Sequence, residues 1–135
     1  MLSSTIQFRV RYAETDQMSY VYHGNYAQYL EMGRIEWLRN IGISYKEMEE
    51  SGIMLPVFNL NINYLKPAKY DDLLTLKTTL VKTPSVKINF NYEIYNEQNE
   101  LLTTATTTLV FINMKTNKPT RPPKYLLDKL TKIEL

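Results

Sequence analysis

The chain contains 135 residues, of which 44% are hydrophobic and 22% are charged, and its formal net charge is +2. This length and composition indicate one globular domain over residues 1–135 with a hydrophobic core of its own. Because basic and acidic side chains are nearly balanced, nucleic acid is not an expected partner. The absence of cysteine excludes disulfides, thiolate metal sites and a cysteine nucleophile.

The N-terminal residues carry no recognisable targeting signal. Residues 1–5 lack a basic stretch followed by an apolar one, and no apolar run approaches the roughly 18 residues needed to cross a bilayer. We therefore expect a soluble, cytoplasmic protein with no membrane insertion. With His23 as the single histidine, a histidine-rich metal site is not expected either.

The first predicted elements are a strand and two helices. In residues 6–12 apolar and polar side chains alternate, which is the period of a half-buried strand. In residues 26–41 apolar side chains recur at three- and four-residue spacing, which predicts the longest helix, and Gly42 is placed to end it. Ser44 and Glu47 have the spacing of a capping box, so a short second helix is predicted to begin there.

The region between residues 55 and 113 has the pattern of antiparallel strands. Alternation is regular in residues 58–64, 74–80 and 86–94, and a last strand is predicted over residues 101–113. The breaks between these runs carry turn-forming residues at lengths that predict hairpins, and an apolar-periodic stretch near the end predicts a short terminal helix. The expected fold class is α+β, with a five-stranded antiparallel sheet packed on one long helix.

A polar stretch, residues 11–26, joins the first strand to the long helix. It contains Asp16 and ends at the predicted helix start, where His23, Gly24 and Asn25 leave backbone N–H groups free. A carboxylate beside such a helix terminus suits acyl transfer, in which the carboxylate attacks or activates water and N–H groups hold the developing oxyanion. The competing interpretation is structural, because an aspartate before a helix is commonly an N-cap or loop acid.

A longer motif begins in this polar stretch. It comprises Asp16, Val21, Tyr22, His23, Asn25 and Tyr26, then Tyr29, Glu31 and Arg34 on the helix, and it continues in residues 64–72 and 106–111. The motif resembles that of the hotdog thioesterases of the 4-hydroxybenzoyl-CoA thioesterase type, and is most similar to the acyl-CoA thioesterase branch associated with the Tol-Pal system. One departure is that relatives usually carry a glycine within residues 18–20, where this chain has none.

The resemblance implies a hotdog fold, in which a curved five-stranded sheet wraps one long helix and two protomers share active sites at their interface. It implies an acyl-CoA thioesterase that releases a free acid and CoA without a metal or cofactor, since coenzyme A is part of the substrate. Asp16 would be nucleophile or general base, and the backbone N–H of His23, seven residues later, would polarise the thioester carbonyl. The positions expected to bind substrate are Val21, Tyr22, Gly24, Asn25 and Tyr26.

Alternatives to these assignments remain open. Glu31 is a rival catalytic acid, because some hotdog thioesterases carry their acid on the central helix; the structural alternative is a salt bridge with Arg34. Four lysines are candidates for binding the CoA phosphates: Lys66, Lys69, Lys82 and Lys87. The alternative functions are a non-catalytic acyl-CoA-binding or scaffold module and, ranked lower, a hotdog dehydratase. A homodimer or a tetramer of paired dimers is expected, because pairing protects open sheet edges.

Overall fold

The computed structural model describes residues 2–133. Within this range the chain forms three α-helices and eight strands, in the order β1 (Leu2–Arg9), α1 (Tyr26–Asn40), α2 (Tyr45–Glu50), β2 (Ile53–Met54), β3 (Val57–Tyr64), β4 (Leu73–Leu80), β5 (Lys87–Tyr95), β6 (Leu101–Val110), β7 (Ile112–Asn113), β8 (Lys118–Pro119) and α3 (Lys124–Lys132). None of the helices in this range is long and apolar enough to span a membrane. The predicted succession of a strand, a long helix, a short helix and further strands is confirmed.

Five strands form the main sheet, in the order β1-β4-β5-β6-β3, and every neighbouring pair is antiparallel. The pairs β4–β5 and β5–β6 are hairpins, as the turn residues predicted. The predicted hairpin between β3 and β4 is wrong, because β3 pairs with β6 whereas β4 pairs with β1. Residues 65–72 instead cross to the β1 side of the sheet, where the Val10 N–H donates to the Asp72 carbonyl at 2.9 Å.

Helix α1 lies against the main sheet and supplies much of the core. Its buried side chains include Leu30 and Trp37, which confirms the predicted apolar face, and the Trp37 ring meets the Phe90 ring edge-on at 5.1 Å. Gly33 allows the helix to approach β4 closely, since a Cβ at this position would lie 2.4 Å from Oγ1 of Thr78. The position of α1 on the sheet therefore depends on a residue without a side chain.

The predicted end of α1 and start of α2 are both confirmed. Gly42 has a φ of +86°, a left-handed conformation that glycine adopts without strain, and its N–H donates to the Arg39 carbonyl at 2.9 Å. Two residues later, Oγ of Ser44 accepts a hydrogen bond from the Glu47 N–H at 3.2 Å, which is one half of the predicted capping box.

Two strand boundaries differ from the prediction. Strand β1 begins earlier than the predicted residues 6–12, because pairing with β4 starts at Leu2. It also ends earlier, because the Val10 carbonyl accepts from the Asp71 N–H (3.1 Å) and Tyr12 starts a 3-10 turn. The strand predicted over residues 101–113 is divided into β6 and β7, and β7 joins β2 and β8 in a second sheet that was not predicted. The predicted terminal helix is present as α3.

Candidate active site

Residues 11–25, here called the Asp16 loop, connect β1 to α1 and contain a small hairpin. Thr15 and Val21 form an antiparallel bridge, and the turn between them is closed by the Ser19 N–H, which donates to the Asp16 carbonyl at 3.0 Å. Ser19 has a φ of 65°, a left-handed conformation that costs a residue with a side chain about 1–2 kcal/mol. Within residues 18–20, where the resemblance led us to expect a glycine, a serine thus holds the backbone conformation that glycine would adopt.

The two parts of the sequence motif are neighbours in the fold. The Val21 N–H donates to the carbonyl of the fully buried Ala68 at 2.8 Å, and Tyr20 forms an antiparallel bridge with Lys69. Residues 65–72, which cross from β3 to β4, therefore form a third strand-like segment beside the hairpin of the Asp16 loop. This arrangement explains why the motif includes residues 64–72 although they are far from Asp16 in sequence.

Asp16 is partly buried, and its carboxylate accepts hydrogen bonds from the backbone of its own loop. Its Oδ1 accepts the N–H of Met18 at 2.9 Å and the N–H of Tyr20 at 3.3 Å. Within residues 2–133, Oδ2 has no hydrogen-bond partner, and no group of three or more His, Asp or Glu side chains is arranged to hold a metal. The loop-acid interpretation is therefore correct for one carboxylate oxygen, while the other oxygen is free to act on a substrate.

The start of α1 is a 3-10 turn, His23–Asn25, whose first N–H belongs to His23. No acceptor for this N–H is found in the part of the chain that the structure describes, whereas the His23 carbonyl accepts from the Tyr64 hydroxyl at 3.2 Å. Asn25 does not cap the helix with its side chain; its Nδ2 donates to the Glu14 carbonyl at 2.8 Å. The helix start thus presents a free donor and is tied to Glu14, in the first part of the Asp16 loop.

The residues predicted to bind substrate differ in their exposure. Val21 and Tyr26 are buried, and they support the loop and the helix start from beneath. Tyr22 and Gly24 are exposed, and Asn25 is half-buried. His23, predicted to be catalytic, is exposed as well, and the ring centroids of Tyr22 and His23 lie 4.4 Å apart. In a single chain the helix start is therefore an open surface, and the substrate contacts of these residues stay a prediction.

Glu14 is a site residue that the sequence interpretation missed. Its carboxylate accepts hydrogen bonds from the Arg11 backbone N–H (2.8 Å), from Nη2 of Arg11 (3.0 Å) and from the Tyr29 hydroxyl (3.0 Å). Burial opposes its charged form, but these hydrogen bonds prevail and lower the pKa of the Glu14 carboxyl. Burial of the phenol and the adjacent Glu14 charge raise the pKa of Tyr29. The three-residue spacing from Arg11 was the signal available in the sequence.

Glu31 and Arg34 do not form the salt bridge that the sequence suggested. They line a cavity of about 210 Å³ between α1, α2 and the sheet, but no ion pair joins them within residues 2–133. Arg34 turns towards the sheet, where its Nη1 donates to the Tyr92 hydroxyl at 3.4 Å, and that hydroxyl shares a 2.7 Å hydrogen bond with Thr107. Arg34 is thus hydrogen-bonded to the sheet, and within the described residues it is not paired with Glu31.

Three of the four candidate lysines have distinct environments. Lys66 forms an ion pair with Glu100 at 2.6 Å, and Nζ of Lys87 lies 4.6 Å from the centroid of the Phe58 ring. Lys69 is the one whose backbone pairs with the Asp16 loop. Proximity therefore favours Lys69 over the other two as a contact for a substrate bound at this loop.

Residues 10–130 match the family described as the thioesterase-like superfamily. The chain belongs to this superfamily. Among the relatives, YneP of Bacillus subtilis is 36% identical over 128 residues, or 95% of this chain and 93% of that protein. The name of that protein assigns it a provisional acyl-CoA thioesterase activity. The acyl-CoA thioester hydrolase YbgC of Escherichia coli O6:H1 is 29% identical over 119 residues, or 88% of this chain and 89% of that protein.

Solved structures of thioesterases share this fold. A structure described as a DHNA-CoA thioesterase from Staphylococcus aureus is 40% identical and superposes with a TM-score of 0.91, covering 98% of this chain and 91% of that chain. The five-stranded antiparallel sheet with its long helix is the hotdog architecture predicted from the motif, which confirms that prediction. Membership in the superfamily also confirms the prediction of an enzyme of the thioester hydrolase class.

Proposed function

We propose that this chain hydrolyses an acyl-CoA thioester to a free acid and CoA at the start of α1, with Asp16 as the catalytic carboxylate. The observation that carries the proposal is the hydrogen bond that joins the stretch containing Asp16 to the start of α1 at His23. The Glu14 carbonyl accepts the Tyr22 N–H at 2.9 Å, so a residue two positions before Asp16 is joined directly to the residue just before His23. Relatives named as acyl-CoA thioester hydrolases and thioesterases support the same reaction.

The proposed roles follow from the chemistry of thioester hydrolysis. The free Oδ2 of Asp16 attacks the carbonyl carbon or removes a proton from the attacking water. The His23 N–H donates to the carbonyl oxygen, which gains negative charge as the tetrahedral intermediate forms, and the positive end of the helix dipole stabilises the same charge. If Oδ2 attacks, the C–S bond breaks, CoA leaves as a thiolate, and water then cleaves the acyl–Asp16 anhydride and supplies the proton that the thiolate takes up. If Oδ2 acts as a base, the proton that it takes from the attacking water passes to the departing CoA sulfur. Either route consumes one water and yields the free acid and CoA.

We further propose that the protein is a homodimer, or a tetramer of paired dimers, with β3 at the dimer interface. Strand β3 is an edge of the main sheet, and its exposed side chains include Val57, Phe58 and Leu60. Two copies that pair across a two-fold axis would protect this apolar edge from water and from other chains. Because Tyr64, at the end of β3, contacts the His23 carbonyl, the second copy would lie beside the Asp16 loop.

The identity of the acyl group on the substrate is the most detailed part of the proposal. Aromatic, naphthoyl and short aliphatic groups are all compatible with the sequence motif. The 40% identity to the Staphylococcus aureus structure described as a DHNA-CoA thioesterase makes the dihydroxynaphthoyl group the first to test. The assignment to the 4-hydroxybenzoyl-CoA thioesterase type, the link to the branch associated with the Tol-Pal system, and a cytoplasmic location belong to the same proposal.

The test is an assay of thiol release with a panel of dihydroxynaphthoyl-, hydroxybenzoyl- and short aliphatic CoA esters, run on wild type and on Asp16→Asn. We expect wild type to turn over at least one ester and Asp16→Asn to lose most of that turnover. Binding of acyl-CoA without thiol release would assign the alternative function, a non-catalytic binding or scaffold module. If the protein neither binds nor hydrolyses any of these esters, both functions are rejected.

A further inference from the structure

Glu14 connects the Asp16 loop to α1 through a rigid side chain. The side chain of Glu14 is only 12% exposed, and the hydroxyl it binds belongs to Tyr29, one turn into α1. The Tyr29 ring is buried and packs on Phe8 of β1, with ring centroids 4.6 Å apart. A hydrogen bond to this hydroxyl therefore fixes the loop relative to both the helix and the sheet.

The main chain of Glu14 makes a second connection, to the start of α1. Its carbonyl accepts the N–H of Tyr22 at 2.9 Å and Nδ2 of Asn25 at 2.8 Å, and these two residues flank His23 and Gly24. Asp16 follows Glu14 by two residues. Glu14 therefore links the stretch that carries the Asp16 carboxylate to the helix start that carries the His23 N–H, while its own carboxylate is occupied by Arg11 and Tyr29.

We infer that Glu14 is a positioning residue of this thioesterase: its carboxylate, held by Arg11 and Tyr29, fixes the Asp16 carboxylate relative to the His23 N–H and so determines turnover without touching the acyl-CoA. The inference rests on the proposed function, because it assumes that these two groups act on one carbonyl. Catalysis of this kind is sensitive to small displacements, since a shift of about 1 Å in a reacting group lowers the rate by roughly a hundredfold.

A carboxylate is required because each of its neighbours is a donor. Arg11 contributes its backbone N–H, Nε and Nη2, and Tyr29 contributes its hydroxyl. An ionised carboxylate accepts all of these hydrogen bonds, whereas the amide of glutamine would place its own N–H₂ donor against one of them. Oε1 accepts both the Arg11 N–H and the Tyr29 hydroxyl, so the amide oxygen of glutamine could retain both hydrogen bonds. Glu14→Leu has a similar size and removes every acceptor, which makes it the variant of choice.

The experiment compares Glu14→Leu, Tyr29→Phe and the double variant with wild type. Glu36→Leu is the matched control, because Glu36 is a carboxylate of α1 whose ion pair, with Arg39, is remote from the Asp16 loop. With the ester that wild type hydrolyses, we expect kcat to fall by about tenfold or more in both single variants and KM to stay within about twofold. The double variant should lose little more than Glu14→Leu alone, because that substitution already removes the hydrogen bond to the Tyr29 hydroxyl.

Hydrogen exchange supplies a readout that does not depend on activity. The amides of Tyr20 and Tyr22 should exchange faster in Glu14→Leu than in Glu36→Leu, since the loop that protects them is released. Unchanged exchange overturns the inference, and so does an unchanged kcat in a variant that is merely less stable. If wild type hydrolyses no ester, the proposed function fails by itself, and faster exchange would then restrict Glu14 to holding the loop, which also overturns its role in turnover.

Discussion

Replacement of Asp16 by asparagine separates the charge of this residue from its hydrogen bonds. Oδ1 accepts the N–H groups of Met18 (2.9 Å) and Tyr20 (3.3 Å), and the amide oxygen of asparagine can accept both. Since Oδ2 has no partner within residues 2–133, the amide nitrogen replaces it without breaking a hydrogen bond. The free energy of unfolding of Asp16→Asn should therefore stay within about 0.5 kcal/mol of wild type.

Turnover should respond far more strongly than stability. Loss of one acid–base group lowers kcat by roughly a hundredfold or more, which corresponds to about 2.7 kcal/mol of activation free energy. Asp16→Ala removes the same charge and also leaves two backbone N–H groups without their acceptor, at a cost of about 1–2 kcal/mol in unfolding free energy. The two variants should therefore share a low kcat and differ in stability.

The assay is steady-state thiol release, which yields kcat and KM separately, combined with urea unfolding of each variant. Glu31→Gln, which neutralises the rival carboxylate on α1, is measured beside them. A rise in KM at constant kcat would show that Asp16 docks the substrate instead of acting on it. The reasoning is refuted if Asp16→Asn turns over like wild type, and loss of turnover in Glu31→Gln would then move the catalytic acid to the helix.

Four further predictions follow from the packing, the backbone and the charges. Gly33→Ala should lower the urea unfolding free energy by roughly 1 kcal/mol, because crowding against Thr78 outweighs the better helix propensity of alanine, and Thr78→Ala should restore part of it. Ser19→Gly should raise the unfolding free energy by up to about 1 kcal/mol by relieving its left-handed conformation; a decrease would contradict this. Burial of Glu14 is outweighed by hydrogen bonds that lower its pKa, so the stabilisation that its carboxylate provides is present above the ordinary pKa of 4.5 and is lost as the pH falls below that value. In unfolding measured across this pH range, acid should therefore destabilise wild type more than Glu14→Gln. Leu60→Lys should increase the monomer fraction in light scattering, and a wild type that is already monomeric at micromolar concentration would reject the proposed β3 interface.

Local patterns were sufficient for the elements themselves. Alternation over residues 86–94 predicted β5, apolar spacing over residues 26–41 predicted α1, and Ser44 and Glu47 predicted the start of α2. Each of these signals depends on residues a few positions apart, whose side-chain directions follow from the period of a strand or a helix. The candidate site was predictable to the same extent, since Asp16 and the helix start lie on one continuous stretch.

The sequence by itself thus determined the helices, the strands of the main sheet and which family motif the chain carries. It predicted neither the short sheet of β2, β7 and β8 nor the exposure of the apolar side chains of β3. Tertiary structure alone decided that β3 pairs with β6, that Ala68 borders the Asp16 loop, and that Glu14 binds Tyr29 fifteen residues away. Periodicity reports that a side chain is buried but not what it is buried against. Those partners depend on the path of residues 65–72 across the sheet, which no local pattern specifies.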